Sequence, residues 1–91
     1  MDFPGSVVVE FFAPGCGYCQ RLAPVIEEVG REYAGRVKVA LLNIDLKGKT
    51  ASEYGIQSTP TIFFYKNGRL TDRVQGALPK EEIERHVRNL F

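Results

Sequence analysis

The 91-residue sequence contains no tryptophan, and it is poor in the side chains that bind metals, with a single histidine and two cysteines. A structural zinc site needs about four ligands. Cys16, Cys19 and His86 supply three cysteine and histidine side chains, so a zinc site built from such residues would need a second copy of the chain. We therefore expect no metal and no bound cofactor in a single chain.

Strong charge and long hydrophobic runs are also missing. The net charge is +1 and 25% of residues are charged, so nothing favours nucleic acid or a membrane surface as a partner. The longest apolar stretch, residues 7–14, is interrupted by Glu10 and is too short to cross a bilayer. We expect residues 1–91 to form a single domain.

The amino terminus shows no basic segment followed by an apolar one, because Asp2, Phe3 and Pro4 follow Met1. This start predicts a cytoplasmic protein. It also fits a trimmed or mature exported domain whose signal has been removed.

Both cysteines lie in the segment "PGCGYCQ", separated by two residues. Such a pair could be a redox couple, half of a metal site or a short structural disulfide. In a reducing compartment a CxxC pair is more often catalytic or metal-binding than structural. A loop this small also constrains the unfolded chain little, which weakens the structural interpretation.

The hydrophobic pattern predicts an α/β domain in the order β-α-β-α-β-β-α, one mixed sheet with helices on both faces. The predicted strands cover residues 7–12, 37–44, 61–66 and 70–74, and the predicted helices cover residues 16–34, 49–54 and 79–90. Gly35 is expected to end the first helix. The nearly continuous apolar run at 37–44 predicts a strand covered on both faces. Asn67-Gly68 predicts a tight hairpin.

Four separated segments, "VVVEFFAPGCGYCQRLAP", "VALLNID", "YGIQSTPTIFFYKNGRL" and "QGALPKEEI", resemble the thioredoxin family in order and spacing. The resemblance implies a thioredoxin fold with a central four-stranded mixed sheet. Most of the family's usual first strand and helix would be lacking, because residues 1–6 leave almost no room for them. The cysteine segment is closest to protein disulfide isomerase domains, and the length resembles short prokaryotic thioredoxins.

The cysteines fall where the first strand meets the first helix. The free N–H groups and positive dipole of a helix start stabilise a thiolate, so we expect a lowered pKa for the Cys16 thiol. The resemblance makes Cys16 the nucleophile and Cys19, one turn further on, the resolving cysteine. It makes Glu10, in the middle of an apolar strand, a buried acid that relays a proton to and from Cys19.

The resemblance also places a substrate-docking surface around the cysteines. Thr59 would offer its backbone to a substrate strand, Pro60 would follow a cis peptide bond, and Gly76 would line the same surface. The residues beside the cysteines, Gly15, Gly17 and Tyr18, would complete it.

Three positions depart from the family pattern. Gly15 replaces the tryptophan that usually precedes the first cysteine, and Tyr18 replaces the usual proline or histidine. Leu41 replaces a lysine near the buried acid.

The resulting hypothesis is a thiol–disulfide oxidoreductase that acts on proteins through Cys16-Gly17-Tyr18-Cys19. Two alternatives remain: a less reducing exchange protein like glutaredoxins or isomerases, and a non-catalytic CxxC module that binds a metal or a partner. The expected partners are disulfide-containing proteins and an unidentified electron donor, either a reductase or a small thiol. We expect a monomer with no nucleic-acid or membrane partner.

Overall fold

The computed structural model describes residues 4–91, which form four strands and three helices in the predicted order. The elements are β1 (Ser6–Phe12), α1 (Gly17–Glu32), β2 (Val37–Asn43), α2 (Lys49–Tyr54), β3 (Thr61–Lys66), β4 (Arg69–Gln75) and α3 (Lys80–Arg88). The inferences drawn from the chain start, a missing signal and no room for a further strand and helix, rest partly on residues 1–3, which lie outside the described residues.

The four strands form one mixed sheet in the order β2-β1-β3-β4. The β1–β2 pair is parallel, and the β1–β3 and β3–β4 pairs are antiparallel. The β3–β4 hairpin turns at Asn67 and Gly68, with φ of 52° and 81°, which suits the right-handed twist of the strands. The predicted α/β class and thioredoxin fold are confirmed.

Strand β1 lies inside the sheet and sends alternate side chains to two separate hydrophobic clusters. Val7, Val9 and Phe11 pack in the cluster that contains Ala51 of α2. Val8 belongs to the other cluster, which α1 and α3 cover. Glu10 has the same parity as Val8, so strand alternation places its carboxyl on the α1 side.

The prediction that the second strand is covered on both faces is wrong. Strand β2 lies at an edge of the sheet, and within it only Val37 is fully buried. Its apolar composition resembles that of a central strand, but as an edge strand β2 pairs with a neighbouring strand, β1, on one side only. Val39 and Leu41 pack against the cluster under α1 and Ala40 packs against the other cluster, but all three are only partly buried.

Helix α1 begins at Gly17 and ends at Glu32, two residues before the predicted end. Tyr33 is the C-cap, and Gly35 lies in the following turn with φ of +85°. The glycine therefore serves the turn into β2 and does not cap the helix. Leu22 and Ile26, four residues apart, anchor the buried face of α1 and so fix its first turn above the end of β1.

Candidate active site

Cys16 and Cys19 are joined by a disulfide at the start of α1, with their Cα atoms 5.3 Å apart. Cys16 is the N-cap, and the Cys19 backbone N–H lies 3.2 Å from Cys16 Sγ and donates to it. The turn that delivers Cys16 is closed by its N–H donating to the Ala13 carbonyl, and Gly15 has φ of +76° there. A side chain at position 15 would strain that turn.

The two sulfurs differ in access although only two residues separate them. Cys16 is half-buried, whereas Cys19 is 3% exposed on the inner side of the helix. An incoming disulfide can therefore reach Cys16 more easily than Cys19.

The loop before β3 lies against Cys16. The Thr59 carbonyl oxygen is 3.7 Å from Cys16 Sγ, and the Thr59–Pro60 peptide bond is cis. The Gly76 N–H donates to the Pro60 carbonyl at 2.9 Å, and Thr61 Oγ1 donates to Ser58 O at 2.7 Å. These bonds fix the loop before β3 against the end of β4, so the structure brings Thr59, Pro60 and Gly76 to the same end of the sheet as the cysteines.

Glu10 is completely buried on the α1 face of β1. Both carboxyl oxygens lack a hydrogen-bond partner among the described residues. Its register neighbours are Leu41 on β2 and Ile62 on β3, neither of which can donate a hydrogen bond. Burial raises the pKa of Glu10 from 4.5 to about 7, and the nearby charge of Glu27 adds a smaller increase.

Glu10 and the resolving cysteine both line a cavity of about 200 Å³ beneath the disulfide. Its lining includes Glu10, Phe12, Ala13, Cys19, Ala23 and Leu41, with Gly15 also on the wall. Leu41, which replaces the lysine usual in the family, adds an apolar wall to this cavity. Glu10 and Cys19 thus line the same cavity, and among residues 4–91 no cation shifts the pKa of Glu10.

Two residues of this region were missed in the sequence. Ala23 lies one turn after Cys19 on the same side of α1, and its small side chain leaves the cavity open. The available sequence signal for this space was a small residue, Ala23, next to the buried apolar residues of α1. Arg73 of β4 donates to the carbonyls of Tyr54 and Gly55 at 3.2 and 2.9 Å, and so holds the end of α2 that leads into the Thr59 loop. Nothing in the sequence pattern indicated that contact.

The outer surface of the site is made by Gly15, Gly17 and Tyr18. Tyr18 is 64% exposed, and the Arg21 guanidinium carbon lies 5.3 Å from its ring centroid.

Within residues 4–91 no three histidine, cysteine, aspartate or glutamate side chains are grouped as metal ligands. In the same part of the chain no helix has the length and apolarity to span a membrane.

A cysteine pair of this spacing, disulfide-bonded at a helix start beside the central strand of a mixed sheet, defines a thiol–disulfide oxidoreductase. The family model described as Thioredoxin matches residues 3–89, and the chain belongs to the thioredoxin family.

Comparison with characterised proteins finds thioredoxins from cyanobacteria and chloroplasts. A thioredoxin of Synechocystis is 50% identical over 83 residues, which cover 91% of this chain and 78% of that protein. Thioredoxin 1 of Nostoc is 41% identical over 91 residues, covering 96% and 85%. The chloroplastic M-type thioredoxin of Pisum sativum is 47% identical over 85 residues, covering 89% of this chain but only 49% of the pea protein.

Proposed function

We propose that the chain reduces disulfides in proteins, with Cys16 as nucleophile and Cys19 as resolving cysteine. The Cys16 thiolate attacks one sulfur of the substrate disulfide and expels the other as a thiolate. Cys19 then loses its proton and attacks Cys16 Sγ, which releases the second substrate thiolate and leaves the observed disulfide. Two electrons pass to the substrate. The observation that carries this assignment is the contrast between an accessible Cys16 at the helix N-cap and a buried Cys19.

Glu10 is the proposed base for the second step. Cys19 must lose a proton inside the protein, and Glu10 lines the same cavity. A carboxyl whose pKa is raised to about 7 can both accept and release a proton near neutral pH. With Leu41 beside it, desolvation dominates that pKa.

The proposed docking surface consists of Gly15, Gly17, Tyr18, Thr59, Pro60 and Gly76. An extended substrate segment can pair with the Thr59 backbone, as in strand addition to a sheet edge. Because the Thr59 carbonyl oxygen lies 3.7 Å from Cys16 Sγ, this pairing would place the substrate disulfide near the nucleophile.

The remaining parts of the proposal concern context. Residues 1–91 act as one monomeric domain, without bound cofactor, on disulfide-containing proteins. A reductase or a small thiol supplies the electrons, and a reducing compartment such as the cytoplasm would keep the pair reduced. A less reducing exchange protein is the second candidate, and the absence of the rigid proline of thioredoxins between Cys16 and Cys19 favours it.

Insulin reduction with dithiothreitol tests the function. Wild type should accelerate precipitation of the freed insulin B chain, and the Cys16→Ser/Cys19→Ser double variant should not. Equal rates for the two proteins would overturn the proposal and favour a non-catalytic CxxC module. Zinc binding by the reduced wild type would then identify the metal-binding form of that module.

A further inference from the structure

The outer surface of the site carries a positive charge that the proposed mechanism does not use. Gly15 and Gly17 flank Cys16 and bring no side chain. The exposed ring of Tyr18 is therefore the first side chain after the nucleophile. The guanidinium of Arg21, one turn further along α1, lies over that ring, with its carbon 5.3 Å from the ring centroid. This cation–π contact keeps the charge near the cysteines.

Arg21 is available to an anion that arrives from solution. It is exposed, and within residues 4–91 it forms no ion pair with a carboxylate. Lys80 is the contrasting case, because its Nζ lies 2.7 Å from an oxygen of Glu28 and 2.7 Å from an oxygen of Glu32. The planar guanidinium presents N–H donors that match the two oxygens of a carboxylate.

The face of α1 that carries Tyr18 and Arg21 turns towards the Gly76 side of the proposed docking surface. Residues three, four and seven apart share one face of a helix, so Glu28 lies on the same face as Arg21. Glu28 pairs with Lys80, the first residue of α3, which follows Gly76 closely in the chain. Arg21 therefore borders the surface on which a substrate segment would lie.

We propose that Arg21 is a specificity-determining residue, and that the preferred substrates are protein disulfides with an acidic side chain two or three residues from the reacting cysteine. This inference rests on the proposed disulfide reduction, whose substrate class it names. Arg21 follows Cys16 by five residues, which is about 7.5 Å along a helix axis. Two or three residues of an extended substrate span about 7–10 Å. A carboxylate at that separation can therefore meet the guanidinium while the substrate disulfide lies at Cys16.

The expected preference is modest because Arg21 is exposed. An exposed ion pair changes an equilibrium by about twofold to fivefold. At low salt, kcat/KM should therefore be about threefold higher for an acidic substrate than for a neutral one, and about threefold lower for a basic substrate. At 1 M salt the Debye length is about 3 Å, so the preference should disappear there.

Three oxidised peptides test the preference. They share one sequence with a single intramolecular disulfide and differ only two positions outside each cysteine, where they carry glutamate, glutamine or lysine. For each peptide, kcat/KM is measured with dithiothreitol as the electron source, after subtraction of the uncatalysed reduction. Wild type should prefer glutamate to glutamine and glutamine to lysine. Arg21→Gln should remove the preference, Arg21→Glu should reverse it, and Arg21→Lys should retain it.

Arg31→Gln is the matched control. It makes the same change of charge at another exposed arginine of α1, ten residues beyond Arg21 and so about 15 Å further along the helix axis. This variant should keep the wild-type preference. The rate on the glutamine peptide reports whether each variant is folded and active, and it should stay within about twofold of wild type in all of them.

Equal kcat/KM for the three peptides in wild type at low salt would overturn this inference and leave the reductase assignment intact. A preference that survives in Arg21→Gln, or that is lost equally in Arg31→Gln, would also overturn it. If wild type reduced none of the peptides, the reductase assignment itself would be wrong, and this inference would fall with it.

Discussion

The two sides of the Cys16–Cys19 disulfide offer the same atom type to opposite surroundings. On the outer side, Cys16 is half-buried, and its polar contacts within residues 4–91 are with two backbone groups, the Thr59 carbonyl and the Cys19 N–H. On the inner side, Cys19 is almost fully buried and shares a cavity with the carboxyl of Glu10. Main-chain groups therefore lie against one sulfur, and a desolvated acid lines the cavity beside the other.

This difference teaches that one sequence motif carries two separable kinds of chemistry. In the proposed mechanism the outer side needs a stable and accessible thiolate, which a helix start can stabilise without any charged side chain. In that mechanism the inner side needs a thiol that stays unreactive until a mixed disulfide forms and then loses a proton. Changes on the two sides should therefore alter different steps.

The largest expected effect comes from exchanging each cysteine for serine. Cys16→Ser should abolish turnover and prevent any mixed disulfide, because no accessible nucleophile remains. Cys19→Ser should instead accumulate a covalent mixed disulfide on Cys16, because nothing resolves it. Mass spectrometry of each variant after mixing with an oxidised protein substrate distinguishes these results.

Alkylation of the reduced wild type provides the matching check on access. Iodoacetamide at neutral pH should label Cys16 well before Cys19. Faster labelling of Cys19 would reverse the assigned roles.

The next largest effect is expected from removing the inner carboxyl with Glu10→Leu. Its pKa is raised from 4.5 to about 7, so the folded state is favoured when Glu10 is protonated. That stability is fully present below about pH 4.5 and is lost as the pH rises to about 7. At about 1.4 kcal/mol for each pH unit between these values, about 3 kcal/mol is involved. The variant should lack this loss and unfold less readily than wild type at pH 8.

Glu10→Leu should also slow resolution of the mixed disulfide by about 100-fold at pH 7, because no base accepts the Cys19 proton. Denaturation series from about pH 4 to 9 and single-turnover reduction measure both effects. Glu27→Gln is the matched control, since it removes a nearby charge but leaves the base in place. Parallel stability curves with unchanged rates would rule out the proton-relay role.

The arrangement of this site was predictable to different degrees on its two sides. Strand alternation and the thioredoxin resemblance predicted the fold and the strand on which Glu10 is buried, because both depend on local pattern. The position of Cys16 at the helix start followed from the same pattern. Glu10 and Cys16 are only six positions apart along the chain.

The features that sequence pattern did not predict depend on contacts between distant segments. Strand β2 has the composition of a covered strand, but sheet order alone makes it an edge. The cavity exists because Ala23 of α1 and Leu41 of β2 leave space beside Glu10, which neither segment indicates by itself. Arg73 holds the end of α2 through two backbone carbonyls, and carbonyl positions follow only from the folded chain.

The smallest expected effect concerns the reduction potential on the outer side. Between the cysteines, Gly17 and the exposed Tyr18 bring neither a rigid proline nor a positive charge, so the helix start alone should stabilise the Cys16 thiolate. We expect a potential of about −200 to −250 mV, between those of thioredoxin and protein disulfide isomerase. Tyr18→His should make it less negative by about 20–40 mV, because a partly protonated imidazole favours the reduced pair. Tyr18→Phe, the neutral control, should leave it unchanged. Equilibration with glutathione buffers measures all three proteins. A wild-type value below about −290 mV would mean that the helix start is not the main determinant of the potential and that the pair behaves as a strongly reducing or structural disulfide.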